Sequence, residues 1–404
     1  MPHRTHADGR DGVVPLPLWG RGTERVLFIF GTRPEAIKLA PVIKAVAAEP
    51  RLEPVVIVVR QHHEILDQTL DVFGLVADRE IELNRNGHGL TELTSRVLER
   101  VGAAIVEEAP SIVVVQGDTT TAYASALAAF YSGVPVAHVE AGLRTNNLAH
   151  PYPEELNRQM ISRIAEMHFA PTGSAHKNLM AEGVPAERVH VTGNTVVDAL
   201  HSIYRVDDGR SARASSNGVR VLATAHRREN WGAPLAEICR ALRDIAEAHT
   251  NVEILFVVHP NPIVRRAAEE ALGGLENIQV SPPLAYRDFV CEMARANLIL
   301  TDSGGIQEEA PIFGTPVVVL RETTERIEGL EHGNAIIAGT TRDSIRAAAF
   351  AALARGDGKA SRERNLYGDG KASDRIVASL LDRFFGEGEE EAGEVSGAVD
   401  GAHA

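Results

Sequence analysis

The sequence predicts an α/β protein built from two successive parallel sheets, each covered by helices. Short runs of β-branched residues alternate with amphipathic stretches of helical length, the pattern of strands and crossover helices in a parallel sheet. The pattern restarts after a stretch of small residues at 211–218, and 404 residues are enough for two domains of ordinary size. Two such halves imply a cleft between them, with ligands held at the carboxyl ends of strands.

The individual elements follow from hydrophobic runs and from helical periodicity. In the first half we predict strands at 26–30, 55–59, 112–115, 136–139, 167–170 and 189–191, with helices at 35–48, 62–73, 120–132 and 153–165. In the second half we predict strands at 219–223, 254–258, 278–280, 298–300 and 317–320, with helices at 233–248, 262–271, 286–296 and 305–313. A last helix at 372–385 is expected to return to the first domain.

The two ends of the chain are expected to be disordered. Residues 1–24 are rich in Gly, Pro, Arg and His, and residues 386–404 form a tail with six acidic residues and no Lys or Arg. We therefore predict an N-terminal domain of residues 25–200 plus 372–385 and a C-terminal domain of residues 201–371.

Composition and charge narrow the class of protein. Hydrophobic residues make up 44% and charged residues 24% of the chain, as in globular proteins, and the net charge of -14 disfavours a general nucleic-acid binder. No apolar run is long enough to span a bilayer and no secretory leader opens the chain, so a membrane partner is not expected. Cys239 and Cys291, without a CxxC motif or a His cluster, predict free thiols, no metal site and a cytoplasmic location.

Cationic residues follow the first strand. Residues 31–35 (GTRPE) open a helix that carries Lys38, so Arg33 and Lys38 can lie together at a helix start, where backbone N–H groups favour an anion. The segment is neither a dinucleotide fingerprint nor a P-loop. A plain strand–helix turn with solvated charges is the alternative.

Three acids lie at strand or helix ends of the first half: Asp118, Glu140 and Glu154. Acids that converge on one cleft can have separated pKa values and can serve as acid and base. The alternatives are structural. Asp118 and the threonines after it could simply form an N-cap, for which Asp and Thr are favoured, and Glu154 could form a surface ion pair with Arg158, four residues further along.

The second half has its own strand-end motifs. His226 follows a strand and could titrate near neutral pH or donate to phosphate, although a backbone-bonded histidine is the alternative. A buried strand runs into Ser303, Gly304 and Gly305 and then a helix, where free N–H groups can hold a diphosphate. Glu309 lies one turn further on, placed to accept from a ribose diol. A structural Gly-Gly turn remains the alternative.

Eight segments, taken in order, resemble the motifs of the non-hydrolysing UDP-N-acetylglucosamine 2-epimerases. They are GTRPEAIKLAPVI, QGDTTTA, HVEAGLRT, PEELNR, VTGNTVVDAL, TAHRREN, TDSGGIQEEAP and RETTERIE. The resemblance implies a glycosyltransferase-B-like pair of Rossmann-like domains facing a central cleft, usually in a homodimer. It implies reversible interconversion of UDP-N-acetylglucosamine and UDP-N-acetylmannosamine through 2-acetamidoglucal, without cofactor or metal, as a supply for surface polysaccharide.

The resemblance also assigns roles, motif by motif. Asp118, Glu140 and Glu154 are the acid/base candidates, and His226 and Arg158 assist at the diphosphate. The remaining positions bind UDP: Arg33, Lys38, Ser303, Gly304, Gly305 and Arg326 at the diphosphate, Glu309 at the ribose, and Phe289 near the uracil.

Other functions fit the same motifs. A UDP-sugar glycosyltransferase on this fold would need an acceptor surface, a hydrolysing 2-epimerase would release free N-acetylmannosamine, and a silent binding protein would hold UDP without turnover. Relatives with these motifs also act on oxidised or diacetamido UDP-sugars. The chain departs from many bacterial members at 61–64 (QHHE) and 86–89 (NGHG), where the family has residues of a second, allosteric substrate site, so such activation is not implied.

Overall fold

The computed structural model describes residues 22–60, 64–83, 89–204, 218–227, 230–248, 251–355 and 366–386. Most of the two predicted disordered ends lies outside these ranges, as do the small-residue stretch before residue 218 and, apart from Glu64 and Gly89, the two segments that depart from the family pattern. Within the described ranges, no helix is both long and apolar enough to cross a bilayer.

The first half is a seven-stranded parallel sheet with helices on both faces. Its strands are β1 (Glu24–Phe30), β2 (Leu52–Arg60), β3 (Arg79–Glu82), β4 (Ile112–Gln116), β5 (Val136–Val139), β6 (Met167–Ala170) and β7 (Val189–Val191), in the order β3-β2-β1-β4-β5-β6-β7. Its helices are α1 (Arg33–Ala48), α2 (Glu64–Phe73), α3 (Leu90–Glu108), α4 (Thr120–Tyr131), α5 (Glu154–Ile164), α6 (Gly173–Ala181) and α7 (Thr195–Ile203). The order reverses between β1 and β4.

The second half repeats this plan with six parallel strands. They are β8 (Val219–Ala225), β9 (Val252–Val258), β10 (Ile278–Ser281), β11 (Leu298–Thr301), β12 (Val317–Val319) and β13 (Ala335–Ile337), in the order β10-β9-β8-β11-β12-β13. The helices of the second half are α8 (Ala233–Ala248), α9 (Pro262–Leu272), α10 (Tyr286–Arg295), α11 (Gly304–Glu309), α12 (Ile327–Glu331) and α13 (Arg342–Arg355), and a last helix, α14 (Ala372–Phe385), follows them in the chain. Here the order reverses between β8 and β11, and the predicted fold class is confirmed.

The last helix, α14, packs on the first half rather than on the second half that precedes it. Its buried residues Ile376, Leu380 and Phe384 join the core that contains Val42 and Val46 of α1. Asp198 of α7 accepts hydrogen bonds from the first two backbone N–H groups of α14. The return of this helix follows the prediction, while the domain boundaries stay a prediction.

An apolar cluster joins the two halves beneath the cleft. Ile37 of α1 and Phe73 of α2 belong to the same buried cluster as Tyr286 and Phe289 of α10 and Ile306 of α11. Burial of apolar surface contributes about 25 cal/mol per Å². This contact places the start of α1 opposite the start of α11, and so brings the two reversal points together.

Several short or edge elements were missed by the sequence prediction. Strands β3 and β13 lie at sheet edges and have three or four residues, too few for a readable pattern. The predicted helix at 305–313 is two elements, α11 and a 3₁₀ turn (Ala310–Phe313). Pro311 explains the change because it has no N–H to donate to an α-helical carbonyl.

Candidate active site

A cavity of about 520 Å³ lies between the two points of strand-order reversal. It is where an open α/β sheet binds ligands, at the carboxyl ends of the strands. The structure brings every site residue named from the sequence to the wall of this cavity: Arg33, Lys38, Asp118, Glu140, Glu154, Arg158, His226, Phe289, Ser303, Gly304, Gly305, Glu309 and Arg326. Their individual roles stay predictions.

A buried carboxylate ties the two loops of the first half together. Glu35 accepts hydrogen bonds from the backbone N–H groups of Gly31 (3.0 Å) and Thr32 (2.7 Å), and from the Thr119 hydroxyl (2.6 Å). Burial raises the pKa of Glu35, against these hydrogen bonds. The loop after β1 and the loop after β4 are thereby held as one unit, with Arg33 on the cavity side.

Arg33 is a cation of the cavity wall that forms no close pair with the described residues. Among the described residues, no hydrogen bond or ion pair engages its guanidinium, which lines the cavity. By contrast, carboxylates hold Lys38 and Arg326, which the sequence analysis treated simply as diphosphate ligands. Arg33 is therefore the side chain of the cavity wall best suited to a new anion.

Asp118 is held by an arginine rather than used as a helix cap. Thr119 caps α4, since its side chain accepts from Ala122 N at 3.0 Å. Arg158 donates to the Asp118 carboxylate at 2.6 Å, and Asn157 donates to its backbone carbonyl at 2.9 Å. The segment does contain an N-cap, but the capping residue is Thr119 and not Asp118. The alternative of a surface ion pair between Glu154 and Arg158 is wrong, because Arg158 is buried and pairs with Asp118 and Glu155.

Glu140 adopts a left-handed backbone conformation, with φ at 65°. A non-glycine residue held there stores strain, a feature that clusters at functional sites. Gln116 donates to its carboxylate at 2.7 Å, and Lys38 forms a close ion pair with it. Burial raises the pKa of Glu140, with Lys38 opposing that effect.

The third acid, Glu154, stands at the first turn of α5 and is half-buried. Burial raises its pKa, and the neighbouring charge of Asp118 adds to the rise. The next residue, Glu155, is fully buried and accepts from the backbone N–H groups of Thr145 and Asn146, each at 3.0 Å. That anchor fixes the loop which leads into Glu154.

In the second half, Asp302 organises the strand ends. Its carboxylate accepts from the backbone N–H groups of His226 and Arg227 and from the Asn230 side chain at 2.7 Å. Burial lowers the pKa of His226, with Asp302 opposing, so the imidazole is predominantly neutral at pH 7. Sequence reasoning missed Asp302, although an acid between a buried strand and a Ser-Gly-Gly turn was a signal for it.

The Ser-Gly-Gly turn leaves room for an arginine. A Cβ on Gly304 would lie 2.7 Å from the guanidinium carbon of Arg326, so any other residue at this position would require the Arg326 side chain to move. Ser303 is the N-cap residue of α11, and Ser303, Gly304 and Gly305 all line the cavity. Backbone donors and one guanidinium are thus combined at the place where a diphosphate could bind.

Glu309 and its partner Tyr286 complete the far side of the cavity. The Tyr286 hydroxyl donates to the Glu309 carboxylate at 2.9 Å. Burial raises the pKa of Glu309 to about 7. Tyr286 was missed in the sequence, where only Phe289 of this helix was singled out. Within the described residues, no group of three or more His, Cys, Asp and Glu side chains is arranged to hold a metal ion.

Two parallel-sheet halves with a ligand-sized cavity between their reversal points are the arrangement of the glycosyltransferase-B-like class of α/β proteins. Residues 44–381 match the family model described as UDP-N-acetylglucosamine 2-epimerase. The probable UDP-N-acetylglucosamine 2-epimerase of Ralstonia nicotianae is 46% identical over 375 residues, which cover 89% of this chain and 100% of that protein. The UDP-N-acetylglucosamine 2-epimerase of Escherichia coli K12 is 44% identical, covering 88% and 98%.

Solved structures of proteins described as UDP-N-acetylglucosamine 2-epimerases have a similar fold. The UDP-N-acetylglucosamine 2-epimerase of Neisseria meningitidis bound to UDP-GlcNAc has a TM-score of 0.83 and 39% identity, covering 89% of this chain and all of that one. The structure from Listeria monocytogenes has a TM-score of 0.85 and 42% identity, covering 90% and 97%. This chain belongs to the UDP-N-acetylglucosamine 2-epimerase family, and the resemblance inferred from its motifs is confirmed.

Proposed function

We propose that the protein interconverts UDP-N-acetylglucosamine and UDP-N-acetylmannosamine reversibly and without net hydrolysis. The observation that carries this proposal is the meeting, in one cavity, of three carboxylates from the first half and a Ser-Gly-Gly helix start from the second. Membership of the family and the UDP-GlcNAc bound to the Neisseria relative support the same substrate.

The first step is elimination. One carboxylate takes the proton from C2 of the sugar, the C2–H electron pair forms the C1–C2 double bond, and the C1–O bond breaks with its electrons leaving on the β-phosphate oxygen of UDP. The products are bound 2-acetamidoglucal and UDP. The C2 proton is only weakly acidic, so the step depends on a positioned base and on stabilisation of the departing charge.

The second step reverses these bond changes on the other face. The UDP oxygen re-adds to C1, and C2 receives a proton from the side opposite to the one that was lost. Asp118, Glu140 and Glu154 are our acid/base candidates. Burial raises the pKa of Glu140 and of Glu154, which favours carboxyls able to both give and take a proton.

Most of the residues that would bind UDP belong to the second half. Arg33, the Ser-Gly-Gly turn and Arg326 surround the proposed diphosphate position, with His226 as a neutral donor. Glu309 would accept from the ribose hydroxyls, and the uracil would lie by the loop before Phe289. No cofactor enters this scheme, because the hydrogen leaves and returns as a proton.

The proposal predicts solvent exchange at C2. UDP-N-acetylglucosamine incubated with the protein in D₂O, with no NAD added, should lose its C2–H signal in proton NMR while UDP-N-acetylmannosamine appears, because the proton passes through an exchangeable carboxyl. Unexchanged C2–H would point to a glycosyltransferase. Irreversible accumulation of UDP with free N-acetylmannosamine would show a hydrolysing enzyme instead.

We further propose that the protein is a homodimer. Val106 at the end of α3 and Phe130 and Tyr131 at the end of α4 are large apolar side chains that are exposed on neighbouring helices. Exposed apolar patches on a globular protein commonly mark interfaces. We infer that the partner is a second copy of this chain. We also propose that the enzyme acts in the cytoplasm and supplies a precursor for surface polysaccharide.

Replacing Phe130 and Tyr131 together by Glu should therefore shift the mass measured by light scattering from dimer to monomer, since two charges cannot be buried unpaired. The double variant Ile263→Glu and Val191→Glu, at exposed apolar positions elsewhere, should remain dimeric. A wild-type monomer at micromolar concentration would contradict the assignment.

A further inference from the structure

Four charged side chains form a closed ring of alternating sign between the two halves: Lys38, Glu140, Arg326 and Glu308, here called the charge ring. Glu140 bridges the two cations, with one oxygen on Lys38 and the other 3.4 Å from Nη2 of Arg326. Glu308 bridges the same two cations, at 2.8 Å from Lys38 Nζ and 2.9 Å from Arg326 Nε. Each half contributes one cation and one carboxylate.

Glu308 differs from the other three members because it does not line the cavity. Its side chain is only 1% exposed, against 6% for Lys38, 7% for Glu140 and 9% for Arg326. A substrate in the cavity would touch the other members of the ring but not Glu308. Glu308 therefore has no catalytic contact, and its function must be exerted through its neighbours.

The charges of the ring balance only when both carboxylates are ionised. Unpaired buried charges cost several kcal/mol, so Lys38 and Arg326 each need a counter-charge. If Glu140 takes a proton from the sugar, Glu308 becomes the one carboxylate of the ring that still holds both cations. At that moment the ring carries a net positive charge, next to the diphosphate that gains negative charge.

We propose that Glu308 is a positioning residue that keeps Lys38 and Arg326 in place while Glu140 exchanges its proton. This inference deepens the proposed function and rests on it. In this scheme Glu140 gives and takes a proton, whereas Glu308 stays ionised throughout. Two carboxylates that share the same cations are driven to different protonation states, as in other paired acids.

The surroundings of the two carboxylates favour this division. Glu140 faces Lys38 of α1, Arg326 of the loop before α12, Glu308 of α11 and the neutral amide of Gln116. Burial raises the pKa of Glu140, and the charge of Glu308 raises it further. Burial acts on Glu308 as well, but Lys38 and Arg326 together hold the pKa of that carboxyl below its ordinary value.

Other charged groups act on the cations of the ring. Glu325 forms a close ion pair with Arg326 and a second one, of 3.0 Å, with Arg321. Asp118 acts on Arg326 from a greater distance. Since Arg321 balances Glu325, this pair leaves the charge of the ring itself unchanged.

The test is Glu308→Gln, which removes one negative charge and keeps the shape. Without that charge, the pKa of Glu140 falls, so the limb of the kcat pH profile that Glu140 controls moves to lower pH, whether Glu140 acts as base or as acid. The dissociation constant of UDP, measured by calorimetry, should fall by about tenfold, because the cavity gains a net positive charge.

Two further variants separate this function from a merely structural one. Glu328→Gln removes another buried carboxylate, which accepts from Thr172 across the two halves, and it should leave the pH profile and UDP affinity unchanged. Glu308→Asp keeps the charge but shortens the bridge, so we expect the wild-type pH profile with kcat reduced by at least about tenfold.

An unshifted profile and unchanged UDP affinity in Glu308→Gln would overturn the inference. If that variant does not fold, wild-type kcat in Glu308→Asp would overturn it in its place. The UDP titration needs no turnover, so it tests the charge ring even if the wild-type protein shows no exchange at C2. In that case the proposed function fails separately.

Discussion

Asp118→Asn should abolish exchange at C2 and leave UDP binding intact. The amide keeps the size of the side chain but cannot take a proton, and general acid–base groups typically contribute about 10² to 10⁴ in rate. We expect a loss of at least about 10³-fold in deuterium incorporation, measured by proton NMR. UDP should still bind at least as tightly as in the wild type, because the change removes one negative charge from the cavity wall and leaves Arg33 and the Ser-Gly-Gly turn in place.

Asp71→Asn is the matched control, since Asp71 lies exposed on α2, away from the cavity. It should exchange C2–H at the wild-type rate. Near wild-type exchange in Asp118→Asn would show that Asp118 has no part in proton transfer. The ion pair of Asp118 with Arg158 would then have a structural role.

Arg33→Ala should weaken the binding of UDP and of the UDP-sugar together. Hydrogen bonds to charged groups contribute about 1.5–3 kcal/mol, so the dissociation constant of UDP should rise by about 10- to 100-fold. The effect should be large because, among the described residues, no hydrogen bond or close ion pair engages the Arg33 guanidinium, and Glu309 acts on it only over a longer distance. Calorimetric titration with UDP measures it directly.

For this change the control is Arg96→Ala, an arginine of α3 that pairs with Glu92 four residues away on the surface. Such exposed pairs contribute little, and UDP affinity should not change. Unchanged affinity in Arg33→Ala would instead place Arg33 in solvent, as the plain-turn interpretation of residues 31–35 has it.

From the sequence we could predict which residues meet at the cavity better than which charged residues pair with each other. Parallel strands bring their carboxyl ends to one edge, so motifs after β1, β4, β8 and β11 had to meet wherever the strand order reverses. This local rule accounts for the convergence of Arg33, Asp118, His226 and Ser303 on one cavity. It needs only the strand and helix pattern, which is readable in long buried elements.

The pairing of charges could not be predicted in this way. Lys38 and Glu308 are far apart in sequence and meet only because α1 and α11 pack against each other across the cleft. Nothing local distinguishes Glu308 from Glu309, yet one binds two cations and the other accepts from Tyr286. From the sequence we predicted a ligand contact for Glu309, one helical turn after the Ser-Gly-Gly turn, and we predicted no role for Glu308.

The sequence prediction missed elements at the sheet edges and on the surface for a different reason. Strand β3 (REIE) is partly exposed and, among the described strands, pairs with β2 alone, so it carries little of the hydrophobic signal on which strand prediction rests. Helix α3 was missed as well, because only a narrow stripe of it is buried: Val97, Val101, Ala104 and Ile105. Neither omission affects the cavity, which the central strands and their loops form.

The most direct test of the central claim uses two labels in one sample. UDP-N-acetylglucosamine with ¹⁸O in the bridge between C1 and phosphorus is incubated in D₂O and followed by ³¹P and proton NMR. Our account predicts that ¹⁸O scrambles into non-bridging positions of the β-phosphate as deuterium enters C2, because the C1–O bond breaks and re-forms. Deuterium at C2 with the ¹⁸O label still in the bridge would contradict elimination of UDP.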